Sequence, residues 1–164
     1  MTIAVVLIII LGVAIGFITF FIIRSLFVPK RMASLAEYIK QGKTSAAIKH
    51  AKNIISKESR NPEAHYLLGQ AYEIDGKAEL ALMEYKIVNQ ISSFGGHCPE
   101  IPFRNKIADL FKHFGQYEEA LKEYLLLINS EPNNAKHYHN VGLLFEARER
   151  SDKAANYFRK AIEL

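Results

Sequence analysis

The chain is predicted to be all-α: an uncharged N-terminal helix long enough to span a membrane, followed by an α-solenoid of about four helical hairpins. Three observations predict this. Residues 3–23 carry no charged side chain, and 16 of those 21 positions are Ile, Leu, Val or Phe. Beyond them, small and aromatic residues recur with a period of about 34 residues, the mark of stacked helical hairpins. No stretch alternates apolar and polar residues as a half-buried strand would.

The N-terminal run defines the first element. As a helix, 21 residues rise about 31 Å, which matches a hydrocarbon core of roughly 30 Å. A cleaved secretory signal is the competing reading. It is disfavoured because the run is too long, no Lys or Arg precedes it, and no Ala-x-Ala site follows. A buried soluble helix fails as well, since a small solenoid cannot surround it on every face. Arg24, Lys30 and Arg31 follow the run and nothing positive precedes it, so the repeats are expected in the cytoplasm. Gly12 and Gly16 form a small-xxx-small pair that would let two such helices pack closely, making a homo-oligomer possible, although glycine is also common in membrane helices.

The hairpin pattern is most complete in Asn61–Ile91. Asn61 is a capping residue, Pro62 suits a first helical turn, and Asp75-Gly76 stops the helix. Leu68, Gly69 and Tyr72 share one face of the first helix; Ala81, Tyr85 and Val88 share one face of the second. Small Gly69 and Ala81 are expected to let the two backbones approach, with Tyr72 and Tyr85 at the flanks. Such a pair cannot bury its apolar face alone and needs neighbours like itself.

Copies lie on both sides. Counting back from Pro62, a degenerate one has Tyr38, Gly42, Ala47, Ala51 and Ile54. A frame from Ile101 supplies Ala108, Phe111, Gly115, Ala120, Tyr124, Leu127 and Pro132. The last, from Ala135, has Tyr138, Val141, Gly142, Phe145, Ala154, Phe158 and Ala161, with Glu149 where the turn glycine belongs. These landmarks resemble the tetratricopeptide repeat (TPR) family, which implies an α-solenoid that binds segments of other proteins in its concave groove. The expected organisation is a membrane anchor and basic junction (1–27), a degenerate repeat (28–61), a repeat (62–91), an inserted loop (92–100), a repeat (101–134) and a final repeat (135–164) without a capping helix. On that last repeat Ala154, Phe158, Ala161 and Ile162 are expected to be partly uncovered, for a second copy or a partner to cover.

The insert breaks the period between the second and third hairpins. Its Gly95, Gly96 and Pro99 cannot continue a helix. It is either a longer loop that resets the angle between repeats or a contact through Phe94, His97 and Cys98.

Charge is uneven. Residues 24–60 carry nine Lys or Arg against two Glu, a net +7, while residues 61–164 carry 12 basic against 15 acidic side chains, a net −3. A connection of only about six residues joins the span to the first repeat, a reach of roughly 20 Å at most, so the basic repeat is expected near lipid headgroups. An ordinary solvated face is the alternative. Nucleic-acid binding is disfavoured because the basic stretch lacks interleaved aromatics beyond Tyr38.

No catalytic constellation, cofactor motif or metal-ligand spacing is present; the six His residues are scattered, and one Cys permits no internal disulfide. An enzyme is not expected. The family resemblance implies instead a partner-binding groove lined by the first helix of each hairpin, which names Glu63, Tyr66, Gln70, Glu73, Asn105, Asp109, Lys112, His113, Lys136, His139 and Glu146. Tyr66 is the aromatic anchor of that set. Met32, Ala36, Leu67 and Pro102 stand where repeats that clamp the acidic tails of heat-shock chaperones carry basic and amide residues, so chaperone-tail binding is disfavoured.

The overall layout is also similar to the N-terminal part of bacterial lipopolysaccharide assembly protein B. That resemblance implies a cytoplasmic adaptor on the bacterial inner membrane, but the family's further repeats and Cys-x-x-Cys module are missing here. The expected function is a membrane-anchored scaffold that holds a partner protein. A structural subunit of a larger membrane assembly, or a periplasm-facing assembly factor, is the alternative.

Overall fold

The computed structural model describes residues 2–164; the side chains of residues 2–4 and 24–30 lie outside the described set, and with them the expectations placed on Arg24 and Lys30. Eight α-helices follow one another: α1 (Thr2–Lys40), α2 (Thr44–Ile55), α3 (Pro62–Ile74), α4 (Ala78–Ile91), α5 (Glu100–His113), α6 (Tyr117–Ser130), α7 (Ala135–Glu146) and α8 (Ser151–Glu163). They pack as successive antiparallel pairs, α1 with α2 through α7 with α8, and each pair packs on the next. The chain is an all-α solenoid. No separate connection joins the apolar run to the first repeat: both belong to α1, whose Met32 and Leu35 enter the core.

One device ends the first helix of every hairpin. Gly42, Gly76 and Gly115 adopt left-handed φ of 68°, 72° and 70°. The next N–H then reaches back to a carbonyl five residues earlier: Lys43 to Tyr38 (2.9 Å), Lys77 to Tyr72 (2.8 Å) and Gln116 to Phe111 (2.8 Å). This is the Schellman closure, and it explains why the repeat places its aromatic and its glycine four positions apart. The fourth hairpin makes the same bond, Arg150 to Phe145 at 2.9 Å, although Glu149 must take φ 57° to do so. The expected turn position is therefore kept at the cost of a strained residue.

A second device starts α3 and α7. Asn61 Oδ1 accepts from Ala64 N at 3.0 Å, and Asn134 Oδ1 from Lys136 N at 3.2 Å. Each asparagine amide also donates to the carboxylate three residues earlier, Glu58 at 2.8 Å and Glu131 at 3.0 Å. The loop between hairpins is thereby held to the helix it introduces.

The core is one continuous cluster from Met32 to Leu144, with Tyr85, Tyr124, Phe103, Leu35 and Leu68 fully enclosed. The small-residue expectation needs correction in detail. A Cβ on Gly69 would collide with the Tyr85 ring, and one on Gly142 with the Phe158 ring. The glycine makes room for an aromatic of the second helix rather than for its backbone, and Tyr72 and Tyr85 are core residues rather than flanks.

A largely buried ion pair joins the two helices of the third hairpin, and a hydrogen bond ties it to the hairpin before. Glu123, 4% exposed, accepts from Arg104 Nη1 at 2.7 Å and from Asn89 Nδ2 at 2.9 Å, joining α4, α5 and α6. Arg104 also reaches Glu100 at 2.8 Å and lies 5.2 Å from the centre of the Phe94 ring.

Candidate protein-binding face

The first helices α3, α5 and α7 carry the residues expected to line a groove, and they fall into two groups. On α3 the side chains are engaged by the chain itself. Tyr66 is only 3% exposed, with ring centres 5.8 Å from Tyr85 and 6.2 Å from Phe103. Burial raises its hydroxyl pKa. The expectation of an aromatic anchor at Tyr66 is thus corrected: it is core.

The insert explains why. Ser92 ends α4 in a left-handed conformation, and Gly95 to Cys98 close a tight turn with N–H to carbonyl bonds of 3.0 and 2.8 Å. This turn folds back over α3. Gly96, in a left-handed conformation, lies against the Glu63 carboxylate, Phe94 packs 5.4 Å from Phe103, and Cys98 is fully buried. Burial first, then the charge of Glu63, pushes the Cys98 thiol up to about 12. Phe94 and Cys98 therefore point inward, and α5 begins one residue earlier than expected. At the far end of α3, Glu73 accepts from the Tyr85 hydroxyl at 2.5 Å and from Lys106 Nζ at 2.7 Å. Gln70 is half-buried between these ends.

On α5 and α7 the expected residues stay accessible. Asn105 bonds the Ile101 carbonyl at 3.0 Å. Asp109 accepts from the Tyr124 hydroxyl at 2.5 Å yet keeps half its side chain in solvent. Lys112 bonds Asn140 Oδ1 at 3.1 Å, and His113 is exposed against the edge of Phe114. Lys136, His139 and Glu146 are exposed together on the rim of a cleft of about 590 Å³, whose floor is Ala135, Phe158, Ala161 and Ile162. His139 lies 5.4 Å from the Phe158 ring.

The terminal face differs from expectation at one position. Ala154 is buried between α7 and α8, whereas Phe158 and Ala161 are half-buried and Ile162 is 85% exposed. Met32 and Leu67, at positions where a carboxylate clamp needs polar side chains, are both core residues. Among the described residues no group of three His, Cys, Asp or Glu could hold a metal ion. Gly12 and Gly16 meet no other part of the chain. Sequence reasoning missed the buried Arg104–Glu123 pair and the asparagine–glutamate staples, which the Glu-x-x-Asn spacing at 58–61 and 131–134 would have flagged.

A stack of such hairpins, each closed by the same left-handed turn, defines a class of helical repeat solenoid. The model of the tetratricopeptide repeat matches residues 37–86 and 105–164, and the chain belongs to that family. It is a TPR scaffold for protein–protein interaction. Solved structures of MamA share the fold. A structure of MamA is 22% identical with a TM-score of 0.67, covering 81% of this chain and 75% of that one. MamA AMB-1 is 19% identical at a TM-score of 0.70, over 82% and 70%. MamA 41-end from Desulfovibrio magneticus RS-1 is 19% identical at 0.66, over 81% and 72%. No curated protein matches the chain, so the likeness to lipopolysaccharide assembly protein B stays one of layout.

Proposed function

We propose that this chain is a non-catalytic scaffold, held by Val5–Ile23 in a membrane, that presents its repeats to a partner protein on the cytoplasmic side. One observation carries the reading. Every described large apolar side chain from Val5 to Ile23 is at least 52% exposed, while further along the same helix Met32 and Leu35 are enclosed. The nineteen residues of this span extend about 28 Å and bury against nothing in the chain, a surface that lipid would cover. The lone hydroxyl among them is satisfied locally, Thr19 donating to the carbonyls of Ile15 and Gly16. The basic residues after the span favour cytoplasmic repeats.

The insert fills the α3 part of the groove, so the partner segment is assigned to α5 and α7, at Asn105, Asp109, Lys112, His113, Lys136, His139 and Glu146. The repeat boundaries at 28–61, 62–91, 101–134 and 135–164 are part of the same proposal, as is helix pairing through Gly12 and Gly16. Alkaline carbonate washing of membranes tests the anchor: the intact chain is expected in the pellet, and its release would refute membrane insertion.

A second reading, a structural subunit packed side by side in a larger assembly, draws on Met83 and Leu126. These exposed apolar residues lie on successive second helices, away from the groove. Exchanging Met83 and Leu126 for Ser would dissolve such an assembly and leave a groove-bound partner in place.

A further inference from the structure

The loop between α2 and α3 is basic, rigid and turned toward the end of α1 that leaves the apolar run. His50 on α2 lies 6.0 Å from Tyr38 on α1, and the two helices are antiparallel across the turn at Gly42. Each step along α2 therefore returns one step along α1, which brings Lys57 level with Arg31. Arg31 lies eight residues beyond Ile23, about 12 Å along the helix axis. A headgroup layer of about 5–7 Å covers each side of the hydrocarbon core, which leaves a gap shorter than the Debye length of about 8 Å.

We propose that Lys57 and Arg60, with Arg31 level with them, form a second attachment of this chain to the membrane, through anionic phospholipid headgroups. The proposal rests on Val5–Ile23 being the anchor. All three cations are exposed, and among the described residues none has a carboxylate at ion-pair distance, whereas Lys52 lies over the Tyr72 ring and takes no part. The backbone that carries them is fixed rather than loose. Lys57 N and Glu58 N both donate to the Ile54 carbonyl, Asn61 holds Glu58, and the Ser59 carbonyl bonds His65 at 3.0 Å. Lys57 and Arg60 rim a polar hollow of about 570 Å³ that Ser59, Asn61, Glu58 and Glu63 also line, the Glu63 carboxylate lying against Gly96 of the insert. Glu58 is turned into the asparagine staple, so its charge is partly engaged. The other two loops on the same side of the solenoid have no such character: residues 92–99 hold no Lys or Arg, and residues 131–134 hold only Glu131. Of the three loops on that side, the one nearest the lipid surface is the one that carries cations, the placement a headgroup contact needs. It would hold the solenoid axis along the membrane instead of letting it swing about α1.

The test uses the full chain in lipid nanodiscs with a spin label at Ser59→Cys, Cys98 being buried and shielded from the label. Discs of phosphatidylcholine alone are compared with discs containing phosphatidylglycerol, using a nickel-chelating lipid as headgroup relaxer. Relaxation at position 59 is expected to be at least about twofold faster in the anionic discs, and to return to the neutral value at high salt and in Lys57→Glu/Arg60→Glu. A label at Ser45, on the far turn, is expected to show no difference. A chain that fails to co-elute with discs overturns the anchor and the contact together. A chain that co-elutes but shows equal relaxation in both lipids overturns the headgroup contact alone.

Discussion

Replacing Gly69 by Ala tests the packing logic of the repeat at its tightest point. An Ala in a helix interior is about 1 kcal/mol more favourable than Gly, so propensity alone predicts a gain. The new Cβ, however, would enter the Tyr85 ring, which is fully buried, boxed by Tyr66 at 5.8 Å and Phe103 at 6.0 Å, and tied by its hydroxyl to Glu73. Forcing an extra carbon into such a site costs about 1–3 kcal/mol, and displacing the ring forfeits a hydrogen bond worth about 1 kcal/mol more. The expected net effect is a loss of about 1–3 kcal/mol. Gly142→Ala is the internal control, because its obstacle, Phe158, is only half-buried and can swing toward solvent. That variant is expected to stay within about 1 kcal/mol of the parent. Urea unfolding of the full chain in detergent, followed by helical circular dichroism, reads both. A Gly69→Ala protein as stable as Gly142→Ala would refute the claim that glycine here seats the aromatic ring.

Three further outcomes follow from the same geometry. Glu149→Gly is expected to raise stability by about 0.5–1 kcal/mol in the same unfolding assay, because it relieves the one non-glycine residue among the four turn positions. Glu123→Ala strands a largely buried Arg104 and is expected to cost about 3–5 kcal/mol, against less than about 1 kcal/mol for Glu100→Ala at the exposed end of the same network. Burial lowers the His65 pKa, but hydrogen bonds to Glu84 and Ser59 and the Glu84 charge outweigh it, so the net shift is upward from 6.5. A raised pKa contributes stability that is fully present below 6.5 and lost as pH rises through the folded value. The stability gap between the parent and His65→Gln should accordingly narrow from pH 6 to pH 9, as equilibrium unfolding at the two pH values would show.

The hairpin framework was legible because each landmark answers a local requirement. Gly42, Gly76 and Gly115 occupy positions that need φ above zero, and the aromatic four residues earlier offers the carbonyl that closes the turn. Asn61 with Pro62 reads as a helix start for equally local reasons. The α3 side of the groove was not legible, because it depends on where the insert goes after leaving α4. Family positions assign Tyr66 to an open groove, but Phe94, Cys98 and Phe103 close over it, a packing decided by residues about 30 positions away. Ala154 was misread for a related reason. Its spacing marks the face of α8, yet α7 alone suffices to bury so small a side chain, whereas Phe158 and Ile162 extend beyond that cover. The Arg104–Glu123 pair spans two helices and has no spacing rule that would announce it.

The binding face is tested most directly by photo-crosslinking in intact membranes, with a photoreactive amino acid placed at His139 in one chain and at Met83 in another. Contact through α5 and α7 predicts a discrete adduct with a different protein from position 139, and none from position 83. Adducts with copies of the same chain from position 83, with position 139 silent, would contradict it and favour a packed structural subunit instead.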